Sequence, residues 1–434
     1  MELAMAELTR ALQDPLLDAM NFLNEVAERF PDAISFAAGR PNERFVTADD
    51  TANDLRAFRT YLTAHSTRPE HEVIRALFSY GPAKGIINDL VCRYLHVDEG
   101  IETVPEAVVV TVGAQEAMVL VLRALCRDAA DVALAVAPTY AGFTGAASVV
   151  GMPVLPVSSG DDGVDLDDLE AVLATARAAG LRPRCLYVIP DFANPTGMCL
   201  PIAERRRLLE AAERNRLLIV EDNPYGIYAG HGERLPTLKS LDEGGQVVYI
   251  GSFAKSVMPG ARVGYVVADQ AVTSGGRRTG LLADELGKIK SMITLNTSPV
   301  SQAVVAGRLL AHDFSLVRAN ERVTATYRDN LDRLLRGLRV RFGGDGAQAV
   351  HWTRPVGGFF VMLHVPFRAD EALLEHSASR HQVLWTPMSQ FYPGSDAGAR
   401  SLRLSCSALR PQDIEPGLDR LAALVAEQSS VVAS

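Results

Sequence analysis

The chain has 434 residues, 48% of them hydrophobic, which is enough for two or three domains with well-buried cores. Its formal net charge of -9 argues against a nucleic-acid binder or a basic membrane-surface protein, although local charge can still suit a small anionic ligand. The five cysteines include no CxxC pair and the nine histidines show no metal-ligand spacing, so we expect reduced thiols, a cytoplasmic protein and no metal.

The first 26 residues predict an amphipathic helix rather than a targeting segment. Acidic residues interrupt this stretch, and no basic start precedes an apolar run, so it does not resemble a signal peptide. The most apolar stretch of the chain, EAVVVTVGAQEAMVLVLRALC, is broken by Gln115, Glu116 and Arg123. We therefore expect no membrane span.

Short β-branched runs alternate with helix-length segments through the middle of the chain. The runs lie at 107–112, 132–137, 185–189, 217–221, 247–251 and 262–267. Helical patterns occupy 115–127, 166–179 and 201–216. Apolar runs too short for helices, separated by helix-length segments, indicate an α/β fold with a mainly parallel sheet covered on both faces.

The pattern changes near residue 312 and predicts a smaller α+β domain. A charged helix at about 313–339 precedes strands near 349–353 and 358–365, a helix at 369–377, short runs at 382–385 and 401–407, and a closing helix at 411–428. The final SSVVAS should be frayed. We therefore expect an N-terminal arm that joins the small domain (1–60), a large domain (61–311) and a small domain (312–434).

Polar residues follow several of the predicted strands. Asn194, Asp222, Ser252 and Lys255 each lie just beyond the end of a strand, and the loop 112–115 ends the first strand and opens a helix. Ligands gather at the carboxyl ends of the strands in open parallel sheets. Residues far apart in the sequence should therefore meet at one edge of this sheet.

Lys255, in the stretch GSFAKSVMPGARVGY, is one of only five lysines among 43 basic residues. One interpretation is a solvated surface lysine, which is the usual case for any lysine. The other is a lysine that forms a Schiff base with pyridoxal phosphate (PLP). Arginine stays protonated and cannot form an imine, so it could not replace the lysine in that role. The cofactor also needs an anion at its pyridinium nitrogen, donors at its ring hydroxyl and a cradle for its phosphate.

The sequence offers each of these groups. Ser252 and Arg262 lie three residues before and seven residues after the lysine, and a hydroxyl with a guanidinium suits a phosphate. The loop 112–116 offers backbone N–H groups at a helix N-terminus, which is a natural phosphate site. Asp222, at a strand end, would need a cation such as the pyridinium. Asn194 lies in the proline-rich loop PDFANPTG.

With these motifs in place, the chain resembles the fold-type I, PLP-dependent aminotransferases of class I/II, in the subgroup of kynurenine/aminoadipate and related multi-substrate aminotransferases. The resemblance runs from about residue 33 to 408. It implies a large, mainly parallel sheet domain covered by helices, a smaller α+β domain, and a homodimer with shared active sites. It rests on the ordered motifs ISFAAGRPN (34–42), SYGPAKG (79–85), VTVGAQEAM (110–118), APTYAG (137–142), YVIPDFANPTG (187–197), EDNPYG (221–226), GSFAKSVMPGARVGY (251–265), WTRPVGGFF (352–360) and SLRLSCS (401–407).

The resemblance implies roles around the cofactor ring. Lys255 resembles the Schiff-base lysine that also transfers the proton, and Asp222 resembles the partner of the pyridine nitrogen. Tyr225 and Asn194 resemble the donors to the ring hydroxyl. Tyr140 resembles the aromatic residue that stacks on the pyridine ring, with a core tyrosine as the alternative.

The resemblance also implies phosphate and substrate contacts. The residues expected at the phosphate are Ala114, Gln115, Ser252, Arg262 and, from a second subunit, Tyr80. Arg403 resembles the arginine that grips the substrate α-carboxylate, with a surface salt bridge as the alternative. Asn194 and Gly39 would lie near the substrate. Arg40 is either a substrate-side charge or simply exposed.

Four positions depart from the family pattern. Ala254 and Ala114 stand where the family usually has a hydroxyl before the lysine and a Ser or Gly before the glutamine. Met388 replaces a common Gly in a loop near the substrate, and Lys84 replaces a common Thr, Glu or Asp in a loop close to the partner's active site. Ordinary drift would explain these changes. An altered substrate pocket in a specialised enzyme of secondary metabolism would explain them equally well.

The implied activity is transfer of an amino group between an α-amino acid and a 2-oxo acid. A PLP enzyme of another class, catalysing elimination, decarboxylation or oxidative deamination of a larger amino acid, stays open because motifs for cofactor binding do not fix which Cα bond breaks. A third possibility is a non-catalytic regulator with a domain of this kind, against which the acidic charge and the lack of a DNA-binding pattern before residue 30 argue.

Overall fold

The computed structural model describes residues 2–433 except 15–16, 18–21, 23–24, 68, 161–162, 232, 344–349 and 393. The strands are β1 (Ile34–Ser35), β2 (Val108–Thr111), β3 (Asp131–Val136), β4 (Val154–Val157), β5 (Ser159–Gly160), β6 (Gly163–Val164), β7 (Arg182–Val188), β8 (Leu218–Asp222), β9 (Val247–Ser252), β10 (Gly264–Val267), β11 (Ala271–Ser274), β12 (Arg277–Leu281), β13 (His351–Trp352), β14 (Phe360–His364), β15 (Val383–Leu384), β16 (Thr386–Pro387) and β17 (Ser401–Ser405). The α-helices are α1 (Ala48–Ala64), α2 (Glu70–Arg75), α3 (Asn88–Tyr94), α4 (Gly113–Leu125), α5 (Ala141–Val150), α6 (Leu166–Ala178), α7 (Ile202–Asn215), α8 (Leu238–Leu241), α9 (Phe253–Ser256), α10 (Leu282–Ile293), α11 (Pro299–Ala311), α12 (Leu316–Ala319), α13 (Glu321–Phe342), α14 (Glu371–His376) and α15 (Pro411–Ala433).

A seven-stranded sheet in the order β2-β10-β9-β8-β7-β3-β4 forms the larger part of the fold. β10 runs antiparallel to both of its neighbours, and the other pairs are parallel. The sheet is buried on both faces, with α4 and α5 on one side and α3, α6, α7 and α11 on the other. The predicted α/β fold with a mainly parallel, doubly covered sheet is confirmed.

Alternation along each strand divides the core between the two faces of this sheet. Val220 and Val248 pack with α4 and α5, whereas Ile219 and Val247 face α6 and α7. The strands read as continuous apolar runs because both faces are covered. The sequence pattern missed β4 and α5, since the segment AGFTGAASVV of α5 has no charged residue to mark a solvent face.

The C-terminal part contains a four-stranded antiparallel sheet in the order β13-β14-β17-β16. α13, α14 and α15 pack on it around a core that includes Trp385, Leu363 and Leu404. β1 pairs in parallel with β15, so the segment around residue 34 joins this part of the chain. The strand predicted near 349–353 is shorter in the structure and begins at His351. Position 349, where the predicted strand starts, lies outside the described residues.

The long helix begins later than predicted. Asp313 and Phe314 take positive φ angles of 47° and 60°, which stops a helix, and Ser315 then caps the short α12 by accepting a hydrogen bond from the backbone N–H of Arg318. The continuous helix α13 therefore starts only at Glu321 and extends to Phe342.

The two chain ends also differ from expectation. Residues 5–7 and 10–13 form short 3₁₀ turns instead of one amphipathic helix, and Asp14 is extended with ψ of 114° because it precedes a proline. Most of 15–24 in the predicted helix lies outside the described residues, and residues 25–29 are helical, so a helix is present at the C-terminal end of the predicted range. At the other end α15 runs to Ala433. The expectation that SSVVAS is frayed is therefore wrong for residues 429–433, since nothing after Gly417 in this stretch breaks a helix.

Three general features of the described residues bear on the kind of protein. None of their helices is both long and apolar enough to cross a membrane. All five cysteines are free thiols. His376 and His381 each hydrogen-bond one carboxylate oxygen of Glu427, at 2.9 and 2.8 Å, which makes this trio a surface polar cluster.

Candidate active site

A cavity of about 300 Å³ opens at the carboxyl ends of the central strands, as the positions of the polar residues predicted. Eleven of the twelve site residues expected from the sequence line it, and Tyr80 does not. Those eleven are Gly39, Ala114, Gln115, Tyr140, Asn194, Asp222, Tyr225, Ser252, Lys255, Arg262 and Arg403.

Lys255 lies in α9, directly after β9, and its Nζ donates a 2.8 Å hydrogen bond to the backbone oxygen of Gly39. Burial lowers the pKa of Lys255 to about 8, and the positive charges of Arg403 and Arg262 lower it further against the opposing effect of Asp222. A lysine with a lowered pKa is more often neutral near pH 7 and is therefore a better nucleophile and base.

Asp222 ends β8 with its carboxylate buried in the floor of the cavity. Its Oδ2 accepts a 2.7 Å hydrogen bond from the Tyr187 hydroxyl. Its Oδ1 is also buried and has no hydrogen-bond partner among the described residues. Burial raises the pKa of Asp222 to about 7, against the lowering effects of Tyr187 and Lys255. A protonated pyridine nitrogen would supply the missing partner of Oδ1, so this carboxylate suits the PLP ring.

Arg403, on β17, is buried and offers a guanidinium to the cavity. Its Nη1 donates to Asn194 Oδ1 at 2.7 Å and its Nη2 to Thr386 Oγ1 at 3.1 Å, while its buried Nε lacks a partner in the described structure. The guanidinium lies 4.6 and 5.2 Å from the ring centroids of Phe360 and Phe391. Burial lowers the pKa of Arg403 to about 10. A surface salt bridge does not describe this arginine, and a substrate carboxylate would satisfy it.

Two tyrosines complete the wall of the cavity. Tyr225 is buried against the rings of Phe359 and Phe360 and hydrogen-bonds Asn194. Burial raises the pKa of Tyr225, so its hydroxyl remains a donor at neutral pH. Tyr140 is half-buried at the start of α5 and lines the cavity, a position that suits a ring stacked on a cofactor.

The other end of the cavity offers a cradle for a phosphate. Gly113 begins α4 with φ of +72°, and a Cβ there would lie 2.6 Å from Arg262 Nη2, so the guanidinium sits directly against the helix N-terminus. Gln115 and Ser252 line the same region. A helix N-terminus, a guanidinium and a hydroxyl together favour an anionic phosphate.

A buried ion pair fixes the turn that forms this cradle. Glu116 accepts hydrogen bonds from the backbone N–H of Val112 at 2.6 Å, from Lys290 Nζ at 2.7 Å and from Thr294 Oγ1 at 2.6 Å. Lys290 is fully buried, so its charge depends on this carboxylate.

Three further residues of interest lie away from the cavity of their own chain. Tyr80 is 85% exposed. Met388 is buried against Met362 and Phe391, and Lys84 pairs with Asp284 at 2.8 Å. Neither Met388 nor Lys84 lines the described cavity, so neither enlarges nor charges it directly.

Arg40 is exposed, lines the mouth of the cavity and pairs with Glu43 at 3.0 Å. Arg40 is therefore both exposed and placed where its charge could meet a substrate, so each of the two interpretations describes part of its environment.

Sequence reasoning missed several residues of the site. Tyr187, Thr386, Gln390 and Phe391 all contact site groups or line the cavity. The alternation of β7 could have identified Tyr187, since it lies on the same face as Cys185 and Ile189. The others follow β15 in the run WTPMSQFY, where Met388 is the one residue that departs from the family pattern.

Comparison with known proteins settles the family. The family profile described as "Aminotransferase class I and II" matches residues 52–421. The chain belongs to the class I and II aminotransferases. This aminotransferase uses PLP as its cofactor, and the expected fold-type I architecture and amino-group transfer are confirmed.

Several relatives of this aminotransferase match nine-tenths or more of its length. It is 52% identical to "(S)-3,5-dihydroxyphenylglycine transaminase" of Amycolatopsis orientalis over 98% of this chain and 95% of that protein. It is 33% identical to the "2-aminoadipate transaminase" of Thermus thermophilus over 90% and 89% of the two chains. The crystal structure of α-aminoadipate aminotransferase from Thermus thermophilus, complexed with N-(5'-phosphopyridoxyl)-L-leucine, superposes with a TM-score of 0.80 at 28% identity and covers 99% of this chain and 100% of that one.

Proposed function

We propose that this aminotransferase moves the amino group between a hydroxylated arylglycine, such as 3,5-dihydroxyphenylglycine, and a second 2-oxo acid, so that the arylglycine and its own 2-oxo acid are interconverted. The observation that carries the proposal is the 52% identity to the dihydroxyphenylglycine transaminase over nearly the full length of both chains. Such an amino acid lies outside the protein-building set, so the reaction would serve secondary metabolism.

The dimensions of the cavity support a compact substrate. A volume of about 300 Å³ is at the small end for ligand sites, and it must hold both cofactor and substrate. Met118, Ile189 and Phe391 provide apolar lining. An aromatic ring attached directly to Cα is short enough for such a space and matches this lining.

The residues around Lys255 account for the chemistry. When bound, PLP supplies an electron-accepting ring that makes the substrate Cα–H acidic. Lys255, whose pKa is lowered to about 8, would act as the general base that takes the proton from the substrate Cα. Asp222, through its unpartnered Oδ1, would hold the pyridine nitrogen protonated, and Tyr225 and Asn194 would donate to the ring hydroxyl.

Binding contacts orient the reacting atoms. Arg403 holds the substrate carboxylate through Nε and one Nη, with Asn194 and Gly39 beside it. Ala114, Gln115, Ser252 and Arg262 hold the phosphate at the N-terminus of α4, and Tyr140 stacks on the pyridine ring. The observed convergence of these side chains on one cavity supports each of these roles.

We further propose a homodimer in which Tyr80 reaches the phosphate of the partner subunit. Exposed apolar side chains support an interface near this residue, since the loop at 78–81 packs against 296–299. The exposed large residues there are Phe78, Tyr80, Met292, Ile293, Leu295 and Val300. Single hydrophobic residues are normal on a surface, but a group of this size suits a second copy of the chain.

Two coarser features complete the proposal. The core around the four-stranded sheet supports a small C-terminal domain with a boundary near residue 311. Val26 and Phe36 of the proposed N-terminal arm (1–60) join this core, whereas Phe58 packs in the core of the large domain. Five free and mostly buried thiols support a reducing compartment, which we propose to be the cytoplasm.

A donor screen tests the activity. Purified holoenzyme is mixed with 3,5-dihydroxyphenylglycine, phenylglycine, 2-aminoadipate and the common amino acids without any acceptor. The cofactor absorbance and the mass of the product are then recorded. The proposal requires conversion of the cofactor to its amine form and one equivalent of the arylglycine-derived 2-oxo acid per site. Absence of conversion with 3,5-dihydroxyphenylglycine would overturn it.

A further inference from the structure

We infer that Gln390 determines substrate specificity by hydrogen-bonding a phenolic hydroxyl on the substrate side chain. The inference rests on the proposed function, because it names the part of a hydroxylated arylglycine that this site recognises. Gln390 lies in the 3₁₀ turn Met388–Phe391 and lines the cavity together with Lys255 and Arg403.

The backbone that carries Gln390 is fixed from both sides. β16, which precedes the turn, pairs with β17 so that Thr386 lies opposite Arg403. Just after Gln390, the backbone oxygen of Phe391 accepts a 2.9 Å hydrogen bond from the N–H of Thr139, next to Tyr140. Gln390 is therefore held between the residue expected to bind the carboxylate and the residue expected to stack on the cofactor.

The amide of Gln390 has no partner in the described structure. The residue is 6% exposed, and both Oε1 and Nε2 are buried without a hydrogen bond to any described group. A buried amide left unsatisfied costs free energy, and natural proteins rarely keep one in a core. An apolar side chain of similar volume would avoid that cost, so the position calls for a functional reason.

A phenol is the group that fits this amide. Its hydroxyl can donate to Oε1 and accept from Nε2, so one group can satisfy a donor or an acceptor of the glutamine. The neighbouring lining residues Met118, Ile189 and Phe391 suit the ring that carries the hydroxyl. A purely aliphatic or unsubstituted aryl side chain would fill the same space and leave the amide unpaired.

Other substrate chemistries fit less well. A second carboxylate would need a cation at the far end of the cavity. Arg262 lies at the α4 terminus, Arg403 is reserved for the α-carboxylate, and Arg40 is exposed and paired with Glu43 at 3.0 Å. Because the amide of Gln390 is already removed from water, the enzyme loses no hydration there when it pairs with a hydroxyl.

The test compares two donors that differ only in ring hydroxyls, 3,5-dihydroxyphenylglycine and phenylglycine, in wild-type holoenzyme and in Gln390→Leu. We expect the wild type to prefer the hydroxylated donor by about tenfold to a hundredfold in kcat/KM. Gln390→Leu should lose most of that preference by slowing the hydroxylated donor alone. Gln390→Met, which keeps the chain length, should behave in the same way.

Stability provides a readout that is independent of turnover. If the amide is unpaired, Gln390→Leu and Gln390→Met should melt at the same temperature as the wild type or higher, because no native hydrogen bond is lost. A lower melting temperature for both variants, or an equal loss of kcat/KM with both donors, would show a structural role and overturn the inference. A wild type that converts neither donor would instead overturn the proposed function.

Discussion

The Tyr187 hydroxyl donates a 2.7 Å hydrogen bond to Asp222 Oδ2 and leaves Oδ1 of the same carboxylate facing the site without a described partner. The two oxygens of one aspartate are therefore in different environments. Tyr187 is itself fixed, because its ring stacks on Phe143 at a centroid distance of 4.0 Å. This arrangement holds the carboxylate in one orientation and would leave its free oxygen available to a protonated pyridine nitrogen.

Replacing Tyr187 should shift the titration of Asp222. The hydrogen bond from Tyr187 lowers the pKa of Asp222, which burial has raised to about 7, so Tyr187→Phe should raise that pKa further. Only the ionised carboxylate attracts a protonated pyridine nitrogen, so PLP affinity should rise as pH increases through this pKa. In the variant that rise should occur at higher pH, with affinity at pH 7 roughly tenfold lower, equivalent to one charge-assisted hydrogen bond.

Titration of the cofactor-free protein with PLP at several pH values measures this effect. Asp222→Asn serves as a reference that lacks the ionisable group and should show weak binding at every pH. If Tyr187→Phe and the wild type give superimposable pH profiles, Tyr187 does not tune the carboxylate.

Gly113 permits the close approach of Arg262 to the N-terminus of α4. Gly113→Ala would place a Cβ 2.6 Å from Arg262 Nη2 and would also impose a side chain on a residue with φ of +72°. We expect PLP affinity to fall by about tenfold to a hundredfold, because the phosphate loses its guanidinium contact.

Gly100→Ala is a matched control for this change. Gly100 also has a positive φ, +63°, but a Cβ there would meet no atom within 4 Å. It should cost only backbone strain, seen as a lower melting temperature with unchanged PLP affinity. Equal losses of affinity in the two variants would show that the cradle does not depend on Gly113.

The Glu116–Lys290 pair should contribute to stability from beneath the cradle. Lys290→Met removes a fully buried ammonium and leaves the Glu116 carboxylate without its cation, which costs about 3 to 5 kcal/mol when a buried pair is broken. Denaturant unfolding of the cofactor-free protein measures this loss. Lys288→Met, on the same helix α10, breaks an exposed pair with Glu285 and should change the free energy of unfolding by less than about 1 kcal/mol. Similar values for the two variants would contradict the structural role of the buried pair.

Tyr80 tests whether the active sites are shared. Although Tyr80 is 85% exposed and outside its own cavity, Tyr80→Phe should weaken PLP binding by roughly tenfold, the value of one hydrogen bond to a phosphate. Tyr61→Phe, which removes another hydroxyl that donates to Asp89 Oδ2 on α3 at 3.5 Å, should leave PLP binding unchanged. Light scattering measures the mass of both variants. A monomeric wild type, or unchanged binding in Tyr80→Phe, would contradict the shared site.

The sequence predicted six of the seven strands of the large sheet and the residues at their ends, because parallel buried strands are continuous apolar runs. It placed Asn194, Asp222 and Lys255 at one edge, and the cavity brings them together. It did not predict α5, which lacks a charged face, or the late start of α13, which depends on positive φ angles at two ordinary residues.

The missed site residues share a physical cause. Tyr187 and Gln390 both depend on neighbours that are distant in the sequence. Tyr187 hydrogen-bonds the Asp222 carboxylate at the end of β8, and Gln390 is brought to the cavity by the pairing of β16 with β17. Periodicity reports burial but not the partner of a buried polar atom. Met388 and Lys84 do not line the cavity of their own chain, because Met388 packs on Met362 and Phe391 and Lys84 pairs with Asp284. The placement of Lys84 near the partner's active site stays a prediction.

The most direct test of the central assignment is to locate the covalent attachment of PLP. The holoenzyme is reduced with borohydride, digested and analysed by mass spectrometry, alongside Lys255→Ala treated in the same way. We predict the phosphopyridoxyl mass on the peptide that contains Lys255 and on no peptide that contains the other four lysines. The variant should carry none. Attachment at another lysine in the wild type, or undiminished attachment in Lys255→Ala, would contradict the assignment of this site.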